Sequence, residues 1–222
     1  MYESEKVEKG ISSLTIVKIL VSVAIVAGLL SYGAYKGLHY YKNEQTIKLM
    51  ETFFEQYQEH IASFVKEDTK IRSITQLKSL GLMQDCETKP STFNRTKQVC
   101  ALPLGEIDVS SESNDAKYYS FVYVHLTDTQ KKDSCRRFLS NGWQGKLPRK
   151  WFGKESYIGV ISENTNGRIY FSLNEEWIRQ DGAERNPSEE HLKEVCSTCE
   201  NSRYCSILFA FDFDKELLQP NP

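Results

Sequence analysis

The chain has 222 residues and sets 28 Lys and Arg against 30 Asp and Glu, a formal net charge of −2. The basic residues are scattered, so no basic field marks it as a binder of nucleic acid. With one membrane segment set aside, roughly 160 residues remain, enough for a single domain with its own core, and no repeat or low-complexity tract divides them.

Residues Gly10 to Tyr35 read GISSLTIVKILVSVAIVAGLLSYGAY and follow a short charged leader. From Leu14 to Tyr35 the only charge is Lys18, and 22 residues at helical rise reach ~33 Å, enough for a hydrocarbon core of roughly 30 Å. A secretory signal has a shorter apolar run and then a small-residue cleavage site, whereas this run passes straight into a polar helix. The segment is therefore an anchor that stays with the chain, and Lys18 is expected to snorkel from near the end of the span. Flanking charge does not orient it, because Lys6 and Lys9 precede it while Lys36, Lys42 and Lys48 follow. The six cysteines do. Cys86, Cys100, Cys135, Cys196, Cys199 and Cys205 all lie after the anchor, an even number suited to three disulfides outside the cytosol.

Beyond the span, Ile47, Met50, Phe54, Tyr57, Ile61 and Phe64 recur at spacings of 3 and 4 with Glu51, Glu55, Gln58 and Glu59 between them, which predicts an amphipathic helix. No proline interrupts Ile11 to Lys66, so one long helix is expected, its first half in lipid and its second half packed on the domain. The same stripe also suits the coiled-coil stalk of a single-pass receptor.

A short helix is expected over Thr69 to Leu80, closed by Gly81 at a left-handed position. Cys86 to Cys100, with Pro90 and Asn94, reads as a surface loop. Glu106 to Val109 reads as a short strand and Tyr118 to Leu126 as a central one. Asp128 or Thr127 is expected to cap a helix over TQKKDSCRRFLS. Tyr157 to Ser162 and Arg168 to Leu173 form a hairpin around Asn166-Gly167. SEEHLKEVC is a helix with acidic residues in its first turn, and Ser206 to Phe213 closes the domain as a strand. The fold class is α+β: an antiparallel sheet crossed by short helices and the long N-terminal one.

These features together resemble the type IV prepilins, in particular the type IVb branch. The resemblance rests on the charged leader ending in Gly10, the apolar helix starting at Ile11, its amphipathic continuation, and a disulfide-bearing antiparallel sheet. It extends to LPLGEIDV, similar to the family's Pro-x-Gly-Gly motif at the start of a strand with Glu106 in place of the second glycine, to YSFVYVHLTDTQKKDSCRRFLS, and to EEHLKEVC followed by SILFAFDF. It implies a leader over residues 1–10, an assembly helix over 11–65 and an extracytoplasmic pilin-like domain over 66–222. A prepilin peptidase would cut after Gly10 and methylate Ile11. The subunit would wait in the inner membrane and then join other pilin subunits, through an assembly platform, in a filament at the cell surface, with a role in adhesion. The family's glutamate at the fifth residue of the mature chain, which neutralises a neighbour's terminal amine, is replaced by Thr15, and Lys18 adds positive charge nearby. An isolated charge in the bilayer costs roughly 3 kcal/mol, so the missing partner matters for assembly; the resemblance, in which subunits lacking this glutamate are minor or tip-located ones, implies a minor subunit over the main building block. The alternative function is a type II membrane protein with a disulfide-bonded, ligand-binding ectodomain.

Six cysteines allow 15 connectivities. The pairing expected is Cys86 with Cys100, Cys135 with Cys196 and Cys199 with Cys205, and the resemblance supports only the second. Loop closure would contribute about 3 kcal/mol for the first bridge and roughly 4 for the second. Cys196-x-x-Cys199 with Cys205 could also begin a zinc site, which would need His191 or Cys135 as a further ligand, or be a redox pair of the C-x-x-C kind; disulfide staples use every cysteine instead. No metal or other cofactor is expected. The histidines, His39, His60, His125 and His191, are dispersed and without evident partners, so no enzyme activity is expected; Ser134-Cys135 with His125 has no nucleophile-elbow spacing. Asn94-Arg95-Thr96 is a glycosylation sequon. Trp143, Lys146, Arg149, Lys150 and Trp151 interleave aromatic and cationic groups suited to a glycan, an anionic surface or single-stranded DNA; alternatively the tryptophans plug the core.

Overall fold

A computed structural model of the chain describes residues 13–143, 147, 156–163, 168–172 and 188–215. Helix α1 runs unbroken over Ser13–Lys66. It serves two compact units, Met1–Tyr41 and Lys42–Pro222. The division between these units falls within the helix, because the side chains of its amphipathic half are buried in the core of the second unit.

The second unit holds a seven-stranded antiparallel sheet: β1 Thr88–Pro90, β2 Gln98–Leu102, β3 Gly105–Ser113, β4 Lys117–Leu126, β5 Tyr157–Ser162, β6 Arg168–Ser172 and β7 Cys205–Asp214. Their spatial order is β1-β2-β3-β4-β7-β5-β6, so the last strand inserts between β4 and β5. Helices α2 (Ile74–Ser79), α3 (Lys131–Leu139) and α4 (Glu189–Ser197) complete the described elements.

The period-2 alternation of β4 sends Tyr118, Val122 and Val124 to the buried inner face, where they meet Ile107 and Val109 of β3 and Ile207, Phe209, Phe211 and Phe213 of β7. Onto this face α1 lays Met50, Phe53, Phe54, Tyr57, Ile61 and Phe64, all buried. Phe54 is the hub, its ring centroid 4.8 Å from Phe209, 5.8 Å from Trp143 and 5.9 Å from Phe211, in edge-on arrangements that the ring quadrupoles favour. Two polar ties fix the helix along the sheet. The Tyr57 hydroxyl shares a 2.7 Å hydrogen bond with Ser120 Oγ on β4, and Leu104 N donates to Thr46 Oγ1 at 3.2 Å. Burial holds the Tyr57 hydroxyl far above the ordinary tyrosine range.

Several local expectations are corrected by tertiary pairing. Cys86 to Cys100 is not wholly loop: β1 and β2 pair within it, and Pro90 is tolerated because β1 is an edge strand. Strand β3 extends past Val109 to Ser113, since its polar end still finds ladder partners in β4. Helix α2 starts only at Ile74, capped by Ser73 Oγ accepting from Gln76 N. The preceding residues are held extended by Ile71, whose N–H donates to Ser111 Oγ and whose carbonyl accepts from Ser111 N, both at 2.7 Å. The N-cap of α3 is Gln130, while Asp128 accepts from Ser134 Oγ at 2.7 Å. Gly81 does take a positive φ of +89° after α2. The expected turn at Asn166-Gly167 lies outside the described residues.

Gly105 opens β3 where the β4 backbone approaches so closely that an added Cβ would lie 1.9 Å from the carbonyl oxygen of His125. Since both sides of that contact are backbone, Gly105→Ala is expected to cost about 3 kcal/mol and lower the melting temperature by about 6 to 12 °C, read by circular dichroism of the detergent-solubilised chain.

Candidate functional site

The first half of α1 presents an outward apolar surface. Apolar side chains from Val17 (57 % exposed) to Leu30 (70 % exposed) stand outward around α1, and the first acidic residue of the helix is Glu44. Among the described residues this is the one helix long and apolar enough to cross a membrane. Thr15 lies within α1, and Lys18 is exposed among the apolar side chains. Gly10 and Ile11 lie outside the described residues.

The second feature is built on the sheet face turned away from α1. Register aligns Glu106 of β3, His125 of β4 and Ser206 of β7 in one row. Glu106 is 0 % exposed, yet its carboxylate is satisfied. Ser91 Oγ donates at 2.6 Å, Thr92 N donates to both oxygens at 3.1 Å, Thr92 Oγ1 donates at 3.1 Å, and Lys89 Nζ stands 3.9 Å away. Ser91 Oγ in turn accepts from the amides of Phe93 and Asn94. Lys97, at the far end of the same turn, pairs with Asp108. The Glu106 carboxylate thus clasps the β1–β2 turn onto the sheet. The sequon residues Asn94, Arg95 and Thr96 are exposed at its tip.

His125 has the partner that sequence alone did not reveal: its Nδ1 shares a 2.6 Å hydrogen bond with Ser206 Oγ, and its ring lies 5.3 Å from Phe93 and 5.8 Å from Tyr123. Burial lowers its pKa from 6.5, outweighing the opposing pull of Asp108 and Glu106. Ser206 is only 4 % exposed, so the pair locks strands and does not offer a nucleophile to solvent. The signal available in the sequence was the two-residue alternation that puts Glu106, His125 and Ser206 on outward-facing positions, but their alignment depends on register.

Of the two readings of the aromatic and cationic loop, Trp143 follows the one in which it plugs the core. Trp143 is in the core, 1 % exposed, with its indole Nε1 donating to the Phe138 carbonyl at 2.7 Å, so it does not offer a ring to a surface ligand. Lys146, Arg149, Lys150 and Trp151 lie outside the described residues. The six cysteines form Cys86–Cys100, Cys135–Cys196 and Cys199–Cys205. A groove of about 460 Å³ runs beside the first of these bridges, floored by Leu49, Met50, Phe53 and Met83 and rimmed by Gln56, Asp85 and Glu87. No protein-family model, curated protein or solved structure matches the chain.

Two outcomes test this site. Glu106→Gln turns an amide toward donors that need an acceptor; it should cost about 1 to 3 kcal/mol, seen as a lower melting temperature and faster amide exchange at Thr92, Phe93 and Asn94. Acidification tests His125. Above pH 6.5 the imidazole is neutral in both folded and unfolded chains; below it the unfolded chain takes up the proton first, so stability falls as pH drops toward the lowered folded-state value. Denaturant midpoints measured from pH 7.5 to 5 should fall for the wild type and flatten in His125→Gln.

Proposed function

We propose that this chain is a pilin-like structural subunit, non-enzymatic, held in a membrane by the apolar half of α1 and assembled through it into a filament with other subunits of the type IV kind. The observation that carries this reading is one 54-residue helix with two opposite characters: exposed apolar side chains over its first unit and a buried aromatic stripe over its second. Such a helix has a low-energy place in lipid, and it leaves lipid without meeting water only by packing against other apolar helices. Folding of the sheet domain uses the other half of the same helix.

The leader ending in Gly10 supports processing by a prepilin peptidase and methylation at Ile11, and Thr15 with Lys18 supports a minor subunit, since neither supplies a carboxylate for a neighbour's terminal amine. An inner-membrane assembly platform would then draw the subunit into the growing filament. The groove beside Cys86–Cys100 favours a second reading, a single-pass protein whose ectodomain holds a ligand. Deleting the gene in its host separates the two, because loss or shortening of filaments belongs only to the first.

Expression beside a prepilin peptidase, followed by mass spectrometry, should give a chain starting at N-methylated Ile11, and Gly10→Val should keep the leader. A chain that retains Met1 beside a peptidase active on a reference prepilin removes the assignment.

A further inference from the structure

Cys135 on α3, Cys196 on α4, Cys199 just past its end and Cys205 at the start of β7 bring four sulfurs together at the edge of the core. All four are at most 1 % exposed. The sulfurs of Cys135, Cys199 and Cys205, which belong to two different bridges, lie within 4.8 Å of one another. That is a short movement from bonding distance for groups that turn about a single side-chain torsion. The remaining partners are also prepared. Cys199 N donates to the Cys196 carbonyl at 3.1 Å, closing a turn of the helical kind that holds the two side chains of this C-x-x-C pair on neighbouring positions.

We infer that these four cysteines form a disulfide-exchange cluster with two interconvertible pairings: Cys135–Cys196 with Cys199–Cys205, and Cys135–Cys205 with Cys196–Cys199. The exchange is started by a low-molecular-weight thiol. Its thiolate attacks Cys205 Sγ, making a mixed disulfide and releasing the Cys199 thiolate. Cys199 attacks Cys196 Sγ, so the 196–199 bond forms, the 135–196 bond breaks and the electron pair leaves on Cys135. Cys135 then attacks Cys205 Sγ and expels the starting thiolate. Two disulfides exist before and two after, with no net oxidation, and the thiol is regenerated.

The consequence is mechanical. In the first pairing Cys135–Cys196 ties α4 to α3; in the second, α3 is tied to the start of β7 and α4 is closed on itself, without a covalent tie to α3 and with Leu192 and Val195 in its packing. Entry runs through the short 199–205 loop, where Glu200, Asn201 and Arg203 are exposed and Asn201 takes a positive φ of 57°. The inference concerns these sulfurs only and holds for either reading of the chain's function.

Trypsin makes the two pairings distinguishable in the intact chain. It releases Asp133–Arg136, Glu194–Arg203 and Tyr204–Lys215, with Cys196 and Cys199 on one peptide. The first pairing yields a single three-peptide species. The second yields Glu194–Arg203 alone with an internal bridge, and Asp133–Arg136 joined to Tyr204–Lys215. Full-length protein in detergent, incubated without oxygen with catalytic glutathione, acid-quenched and digested without reduction, should convert a growing share of the three-peptide species into the second set, while the Cys86–Cys100 peptides stay paired. Persistence of the three-peptide species alone over hours overturns the inference. A second arm uses Cys196→Ser with Cys199→Ser: Cys135 and Cys205 should then join and resist alkylation, and a folded double variant in which both alkylate overturns it equally.

Discussion

Everything else in this chain hangs on the seating of one aromatic stripe. Phe53, Phe54 and Tyr57 of α1 enter a sheet face made by the alternate residues of β4 and β7, and Phe54 touches Trp143, Phe209 and Phe211 at once. Fully burying each large apolar side chain is worth about 1.5 to 3 kcal/mol, so a handful of such residues outweighs any surface ion pair. This contact draws half of a long helix into the domain. It also accounts for the place of β7, the last strand, between β4 and β5: a position inside the sheet sets Phe209 and Phe211 beneath α1, where both are buried.

Polar groups then set register where apolar packing alone is permissive. Thr46, Tyr57 and Ser111 each bond a partner distant in sequence, and each bond excludes sliding of α1 or of the segment after it along the sheet. Glu106 plays the same part on the opposite face. A buried carboxylate is costly unless its lone pairs are filled, and here they are filled by Ser91 and Thr92 from the β1–β2 turn. Asp212 repeats the device near the other end of the sheet, accepting from Ser156 Oγ at 2.7 Å and pairing with Lys117 at 3.1 Å.

The division of α1 into a lipid-compatible half and a domain half gives the molecule a mechanical character. Within the second unit, the bridges between α3 and α4 and at the start of β7 stiffen the domain. None of the three bridges includes a residue of α1, so the packing of this helix on the sheet rests on side-chain contacts and hydrogen bonds.

The sequence by itself determined the long apolar N-terminal stretch, the amphipathic helix, the α+β class and the cores of the strands, because each is a periodic or cumulative signal carried by neighbouring residues. Ile47, Met50, Phe54, Tyr57, Ile61 and Phe64 read as one face and are buried as one face. What only the tertiary structure decided are matters of who meets whom. Strand order, the extra length of β3, the late start of α2, the place of Trp143 in the core, the choice among 15 cysteine pairings and the row of Glu106, His125 and Ser206 all depend on residues far apart in the chain. No local pattern encodes such meetings, since a register shift of one residue would exchange inner for outer faces while leaving every local propensity unchanged.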